Sequence, residues 1–504
     1  MFTALSNLVM RPCLLLLALG LSVSTDANAL QRGGVPGASM RSILLASPSA
    51  PNRLGPRQLW IGRSTSAIVT SIATPAEAVP GFIPGVGGLA LVLSIVVEET
   101  QEEELFTLFV PSTPPGVERP MLVAFHGFNV SHLDIWANTS FISECQARGW
   151  FLIAPYMRNL APTGPGTSQS GFGSAQSQLH VQAVMRYVME GFPVDLDRIY
   201  GVGFSMGGGA AMSYAARHRD RDEGAFAAVV NHTGTVALQH VYANADNDTQ
   251  GLMRRIFGGN PQYAPFNYNR SSVIELDANG VLVPGGDHMA RNLSEVPVRT
   301  YYGVGDGQGY LVDEALQLDG FMSTISSAHE LVALPADCTP VQGGHCWGTI
   351  DETEVCDWLE TKALVTPGQI GQVLADRNAR WGNLDVTSTL AGVFSSFDYS
   401  ISSSQNSIRL LGSSNLESVR FNLNEVGLDR SSPIGLRLGT ADGSGDTVHI
   451  TGYGGVPSSI VRNGWLVIED CSSASLPRWC YDPSTDTLSI TETAPQTALW
   501  TVNP

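Results

Sequence analysis

The chain has 504 residues, 43% hydrophobic and 15% charged, with a formal net charge of −18. That length exceeds the usual single domain, and the apolar content excludes wholesale disorder. The excess of carboxylates would repel phosphate backbones and anionic lipid, which excludes nucleic acid and acidic membrane as principal partners. Only one of the 28 basic residues, Lys362, is a lysine.

Residues 1–29 read as an export signal. Arg11 precedes an apolar run from Pro12 to Val23, and Ala27-Asn28-Ala29 is a small-x-small cleavage site. The run is short for a membrane span, although a retained anchor is the alternative. A secreted or periplasmic location is predicted, with no stable membrane association after cleavage. Cys13 falls in the signal. Cys145, Cys338, Cys346, Cys356, Cys471 and Cys480 remain, an even number in a chain bound for an oxidising compartment, so disulfides are expected. Cys471 and Cys480 are spaced as a local pair, and the cluster of Cys338, Cys346 and Cys356 should hold at least one more. No C-x-x-C or H-x-x-x-H spacing accompanies that cluster, which disfavours zinc.

Residues 30–80 are rich in Ser, Pro, Gly and Ala and read as a loosely structured extension. From about residue 88 strand-like runs appear: LALVLSIVVEE, ELFTLFVPS, then PMLVAFHGF at 120–128. A helical stretch follows around IWANTSFISECQARG, then the apolar run WFLIAPYM at 150–157. In AQSQLHVQAVMRYVMEG, Val181, Val184, Met185 and Val188 fall at i, i+3, i+4 and i+7, one face of a helix. RIYGVGFS, AFAAVVNHTG at 225–234 and VRTYYGVGD at 298–306 are further buried-strand candidates. Strands alternating with helices predict an α/β domain over 81–380, a mostly parallel sheet with helices on both faces. Ligands of such sheets sit beyond the carboxyl ends of the strands. Past about 380, short alternating runs separated by Gly, Ser, Asp and Pro turns predict an all-β sandwich over 384–504. Its Trp465, Trp479, Tyr481 and Trp500 read either as core or as a polymer-binding face.

The stretch GFSMGGG, residues 203–209, carries the chemistry. It is either a nucleophile elbow or a flexible glycine turn. Ser205 follows the strand RIYGVGF and precedes the helix-compatible MGGGAAMSYAARH, the context an elbow needs. Gly203 and Gly207 leave room in so sharp a turn, and Met206 N–H at the helix start would face a developing oxyanion. A phosphate cradle is disfavoured, because the G-x-x-x-x-G-K-[ST] spacing is absent.

With PMLVAFHGF, VDLDRIYGVGFSMGGGAA, YYGVGDGQ and GGHCW, the chain resembles the α/β-hydrolase superfamily. Residues 88–360 are most similar to secreted esterases related to polyhydroxyalkanoate depolymerases and feruloyl esterases. The GFSMGGG run also resembles the elbow of bacterial polyester hydrolases, and prolyl-oligopeptidase-like hydrolases share the same skeleton. The resemblance implies that the N–H of Phe128 is the second oxyanion donor, with His126 ordering its loop. It implies that Asp306 is the triad acid, with Asp313 and Asp319 as rivals in the next helix. His345 in QGGHCWG completes the order Ser, Asp, His, whereas His288 precedes Asp306 and breaks it. Trp347 would line the substrate pocket, and His232 would contact substrate or cap its own loop. The function implied is a secreted serine hydrolase cleaving carboxylic esters through an acyl-enzyme, polymeric esters among the candidate substrates, with no metal and no organic cofactor. A serine peptidase on the same triad, or a binding protein with a vestigial hydrolase domain, are the competing readings.

Overall fold

The computed structural model describes residues 67–71, 88–112, 114, 116–157, 171–335, 343–365, 370–441, 445–471, 477–493 and 497–504. The expected export signal, most of the expected extension and Cys338 lie outside them. Among the described residues the first sheet runs β1 (Ala67–Ser71), β2 (Gly88–Val97), β3 (Glu102–Pro111), β5 (Phe151–Pro155), β4 (Arg119–Phe125), β6 (Val194–Phe204), β7 (Ala228–His232), β8 (Val298–Gly303), β9 (His329–Leu334). Neighbours from β5 to β9 are parallel, while β1, β2 and β3 add an antiparallel edge. β1 lies within the stretch expected to be loosely structured; its pairing with β2 gives it a ladder that its sequence does not advertise.

Helices fill the crossovers: α1 (Asp134–Asn138), α2 (Phe141–Arg148), α3 (Ala175–Gly191), α4 (Met206–Arg217), α5 (Leu238–Asn244), α6 (Asn247–Phe257), α7 (Pro265–Asn269), α8 (Gly309–Met322) and α9 (Glu352–Glu360). The single helix expected around residues 135–149 is two. Thr139 is extended between them, and its hydroxyl donates to the carbonyl of Ile135 at 2.5 Å. α3 follows the expected pattern: Val181, Val184, Met185 and Val188 are all buried, and Ser174 caps its start by accepting from Ser177 N–H. β4 shows how the sheet is sandwiched. Leu122 and Ala124 join the core that includes Ile142, Trp358 and Leu359 of α2 and α9. Phe125 faces the other way, its ring 6.5 Å from that of Tyr214 on α4.

The order β5-β4-β6 places the site. The chain leaves β4 in one direction and reaches β6 on β4's other side, so a crevice opens beyond the carboxyl ends of β4 and β6. Phe125 pairs with Gly203, which brings the turn after β4 beside the turn after β6.

Two further sheets, mostly antiparallel, make the C-terminal β domain. One has the order Ile370–Ala375, Ser395–Ser402, Ser407–Ser414, Ile434–Thr440, Ala498–Asn503, Ser459–Arg462, Trp465–Val467. The other has the order Ala379–Trp381, Leu384–Ser388, Leu416–Asn422, Asp446–Thr451, Thr487–Glu492, Arg478–Asp482. Alternating burial marks their inner faces; Leu410 and Leu438 of one lie across a small space from Val419 and Val448 of the other. The first of these strands begins at Ile370, ahead of the expected start at 384. Trp479, Tyr481 and Trp500 are buried, as core residues should be, whereas Trp465 on the edge strand is 79% exposed. Cys471 and Cys480 form the expected local disulfide.

The β domain is not loosely appended. Asp376, directly after Ile370–Ala375, is buried between Arg217 of α4 and Arg270 after α7. Its carboxylate accepts from Arg217 Nε at 2.8 Å and from Arg270 Nε at 2.7 Å. Asn292 adds an amide pair, accepting from Leu374 N–H and donating to Leu374 O, both at 2.9 Å.

Candidate active site

Ser205 sits at the junction of β6 and α4 with φ 56° and ψ −124°, a backbone that non-glycine residues adopt only under constraint. Neighbours impose it. Ser205 N–H donates to His232 O at 2.9 Å, and Ser205 O accepts from Gly208 N–H at 3.0 Å and Thr235 N–H at 3.1 Å. A Cβ on Gly203 would lie 2.1 Å from Gly207 O, and a Cβ on Gly207 would lie 2.1 Å from Phe125 O. Both glycines are thus required by close backbone approach, as the elbow reading expects.

Asp306 and His345 reach the serine from two loops that pack backbone against backbone. Gly307 N–H donates to Gly343 O, and Gly343 and Gly344 adopt left-handed φ of 58° and 79°. His345 Nδ1 is 2.8 Å from Asp306 Oδ2, and His345 Nε2 is 2.8 Å from Ser205 Oγ. The second oxygen of Asp306 accepts from Gln308 N–H at 2.8 Å. The rivals Asp313 and Asp319 lie on α8, and Asp319 pairs instead with His329. His288 is buried elsewhere, its Nδ1 accepting from Glu275 N–H. Cys346, next to the histidine, is disulfide-bonded. Cys145 and Cys356 are free thiols buried in the core between α2 and α9.

The turn after β4 carries His126-Gly127-Phe128. The His126 ring lies between two carbonyls, Gly127 O at 2.8 Å and Tyr156 O at 3.0 Å, and so ties the turn to the end of β5. Phe128 and Met206 both line the crevice beside Ser205. Met206 opens α4, where unsatisfied N–H groups and the helix dipole favour negative charge.

The crevice has a volume of about 850 Å³. Aromatic side chains, Phe128, Phe172, Tyr310 and Trp347, line it together with the polar Asn138, Asn244, Thr249 and Gln308. Trp347 is where the sequence places it, its indole N–H donating to Asp134 at 3.1 Å. His232, expected either to contact substrate or to cap its own loop, is 1% exposed and packs behind Phe204 and Trp347, off the lining of the crevice. The wall formed by α5 and α6 went unread in the sequence. Its signals were the cap at Asp246, which accepts from Thr249 N–H, and Glu314, whose buried carboxylate accepts from Ala237 N–H and pairs with His240. Burial pushes Glu314 up to about 7 against the opposing pull of His240.

Residues 120–264 match the alpha/beta hydrolase fold family. The chain contains an α/β-hydrolase domain. No curated protein matches the chain by sequence. Similar solved structures include S-formylglutathione hydrolase from Staphylococcus aureus, with 17% identity and TM-score 0.39 over 54% of this chain and 99% of that one. A ferulic acid esterase has 16% identity and TM-score 0.34 over 49% and 90%. The Pyrococcus horikoshii acylaminoacyl peptidase has 15% identity and TM-score 0.35 over 46% and 34%.

Proposed function

We propose that this protein is an exported serine hydrolase of carboxylic esters, working through Ser205, His345 and Asp306. The observation that carries the reading is the unbroken chain Asp306–His345–Ser205, with 2.8 Å at each link, at the floor of a crevice beside the start of α4. His345 Nε2 takes the proton as Ser205 Oγ attacks the carbonyl carbon. Asp306 holds the Nδ1–H tautomer and stabilises the imidazolium. The N–H groups of Phe128 and Met206 receive the oxyanion. Collapse expels the alcohol, protonated by His345, and water repeats the sequence on the acyl-enzyme.

The aromatic lining suits an ester with an alkyl or ring-bearing portion, and the asparagines, threonine and glutamine suit a polar remainder. Export is supported by the leader-like residues 1–29 and by the disulfides at Cys346 and Cys471–Cys480. Mature protein recovered from an export-competent host should begin at Leu30.

The test is an activity panel on mature protein and Ser205→Ala: p-nitrophenyl esters of short and long acyl chains, methyl ferulate, a polyester film and a peptide p-nitroanilide. Ester turnover lost only in the variant is expected. Turnover of the anilide alone would replace the esterase reading with a peptidase, and no turnover by either folded protein would overturn it.

A further inference from the structure

His232 is a buried, polar residue that the mechanism above does not use. It closes β7 and pairs with Phe204, the last residue before the elbow. Its carbonyl accepts the N–H of Ser205 at 2.9 Å. Its ring Nε2 is 2.7 Å from Thr349 Oγ1, and that hydroxyl lies 3.2 Å from Cys346 O. Thr349 ends the short turn Trp347–Thr349 that follows His345 and Cys346. Its one proton goes to Cys346 O, so the imidazole is the donor in the bond to Thr349. A single residue thus grips the nucleophile with its backbone and the histidine loop with its side chain.

We infer that His232 is a positioning residue: through Thr349 it sets the height of the His345 loop above Ser205. The inference rests on the triad reading. A ring that merely filled space would be apolar. His232 instead has Nδ1 buried with no partner among the described residues, a desolvation cost that an apolar ring avoids. Phe204 fills the space between, its ring 5.0 Å from that of His232, 4.6 Å from His345 and 5.3 Å from Trp347. The loop therefore has an apolar floor, and the His232–Thr349 bond adds a directional anchor to it beside the bond from Trp347 to Asp134. Burial, and then the neighbouring His345, push His232 down to about 3. It stays neutral at working pH and adds no like charge beside the imidazolium that His345 becomes.

The experiment uses the full mature chain, p-nitrophenyl butyrate, and the variants His232→Phe, His232→Gln, Thr349→Val and Thr349→Ser, with Ser205→Ala as reference. His232→Phe and Thr349→Val should each lower kcat about 10- to 100-fold at nearly constant KM, the cost of a misplaced catalytic group. His232→Gln and Thr349→Ser, which keep a donor and a hydroxyl, should recover most of that loss. The double variant should be little worse than either single one, because both break one link. Wild-type kcat in folded His232→Phe or Thr349→Val overturns the inference. So does an equal loss in His232→Gln and His232→Phe at matched Tm. If His232→Phe does not fold, Thr349→Val decides, since it removes only a hydroxyl. If Ser205→Ala keeps activity, the triad reading itself falls, and this inference with it.

Discussion

Asp306→Asn tests the triad with a nearly isosteric change. The structure dictates how the new amide must sit. Gln308 N–H points at one oxygen of Asp306 at 2.8 Å, so the amide oxygen of the substituted side chain must take that position. The amide NH2 then faces His345 Nδ1, which lies 2.8 Å from the carboxylate in the native site. A donor there forces Nδ1 to accept and moves the ring proton to Nε2. Nε2, at 2.8 Å from Ser205 Oγ, becomes a donor where the reaction needs a base. The expected loss is about 10⁴-fold in kcat, or about 5.5 kcal/mol of barrier. Stopped-flow acylation and steady-state turnover of p-nitrophenyl butyrate at pH 7.5 measure it, with Tm as the control for folding. A loss under about tenfold at unchanged Tm would refute the tautomer argument and the assignment of Asp306.

Gly207→Ala places a Cβ 2.1 Å from Phe125 O and 2.5 Å from His126 O, so the end of β4 and the turn after it must shift. The expected result is a stability loss of about 1–3 kcal/mol and at least about a 100-fold loss of kcat, read by denaturant melts and ester turnover. Asp376→Ala leaves two guanidiniums without their carboxylate and should cost about 3–5 kcal/mol, a Tm fall of about 5–8 °C at about 2.1 cal/mol/K per residue of the hydrolase domain. Burial pushes the Asp376 carboxyl up, but Arg217 and Arg270 outweigh it and hold the group below the ordinary carboxylate range. As pH falls the unfolded chain takes up this proton first, so the stability Asp376 contributes is present above about pH 4 and is lost below it. The Tm gap between wild type and variant should therefore narrow from pH 7 to pH 3; a constant gap would show that the charge is not what matters.

The elbow was legible because its constraints are local. A strand, a serine and flanking glycines within a few residues admit little else. That Asp306 and His345 meet beside Ser205 was legible through the resemblance and its order Ser, Asp, His, with glycines marking the loops that meet at Gly307 and Gly343. The role of His232 was not, because its ring acts on Thr349, far along the sequence. The early start of the β domain was hidden because Ile370–Ala375 lacks alternation: Ile370 and Gln372 are exposed while Val373, Leu374 and Ala375 are all buried. α5 and α7 are too short for a periodic signal; α6 carries one, with Met253 and Phe257 buried at i and i+4 behind the Asp246 cap, and it was passed over. Asp376 reads as an ordinary loop acid until the fold brings Arg217 and Arg270 to it.

That last contact bears on modularity. Arg217 ends the helix that Ser205 caps, so the anchor of that helix is a residue belonging to the other domain. A truncation before Ile370 would not release an independent hydrolase. It would strand two desolvated cations, Arg217 and Arg270, and leave the Asn292 amide without its bonds to Leu374. The β domain then acts as a built-in folding partner. In recombination, a replacement domain that brought no carboxylate to the same place would carry the same penalty as Asp376→Ala, about 3–5 kcal/mol.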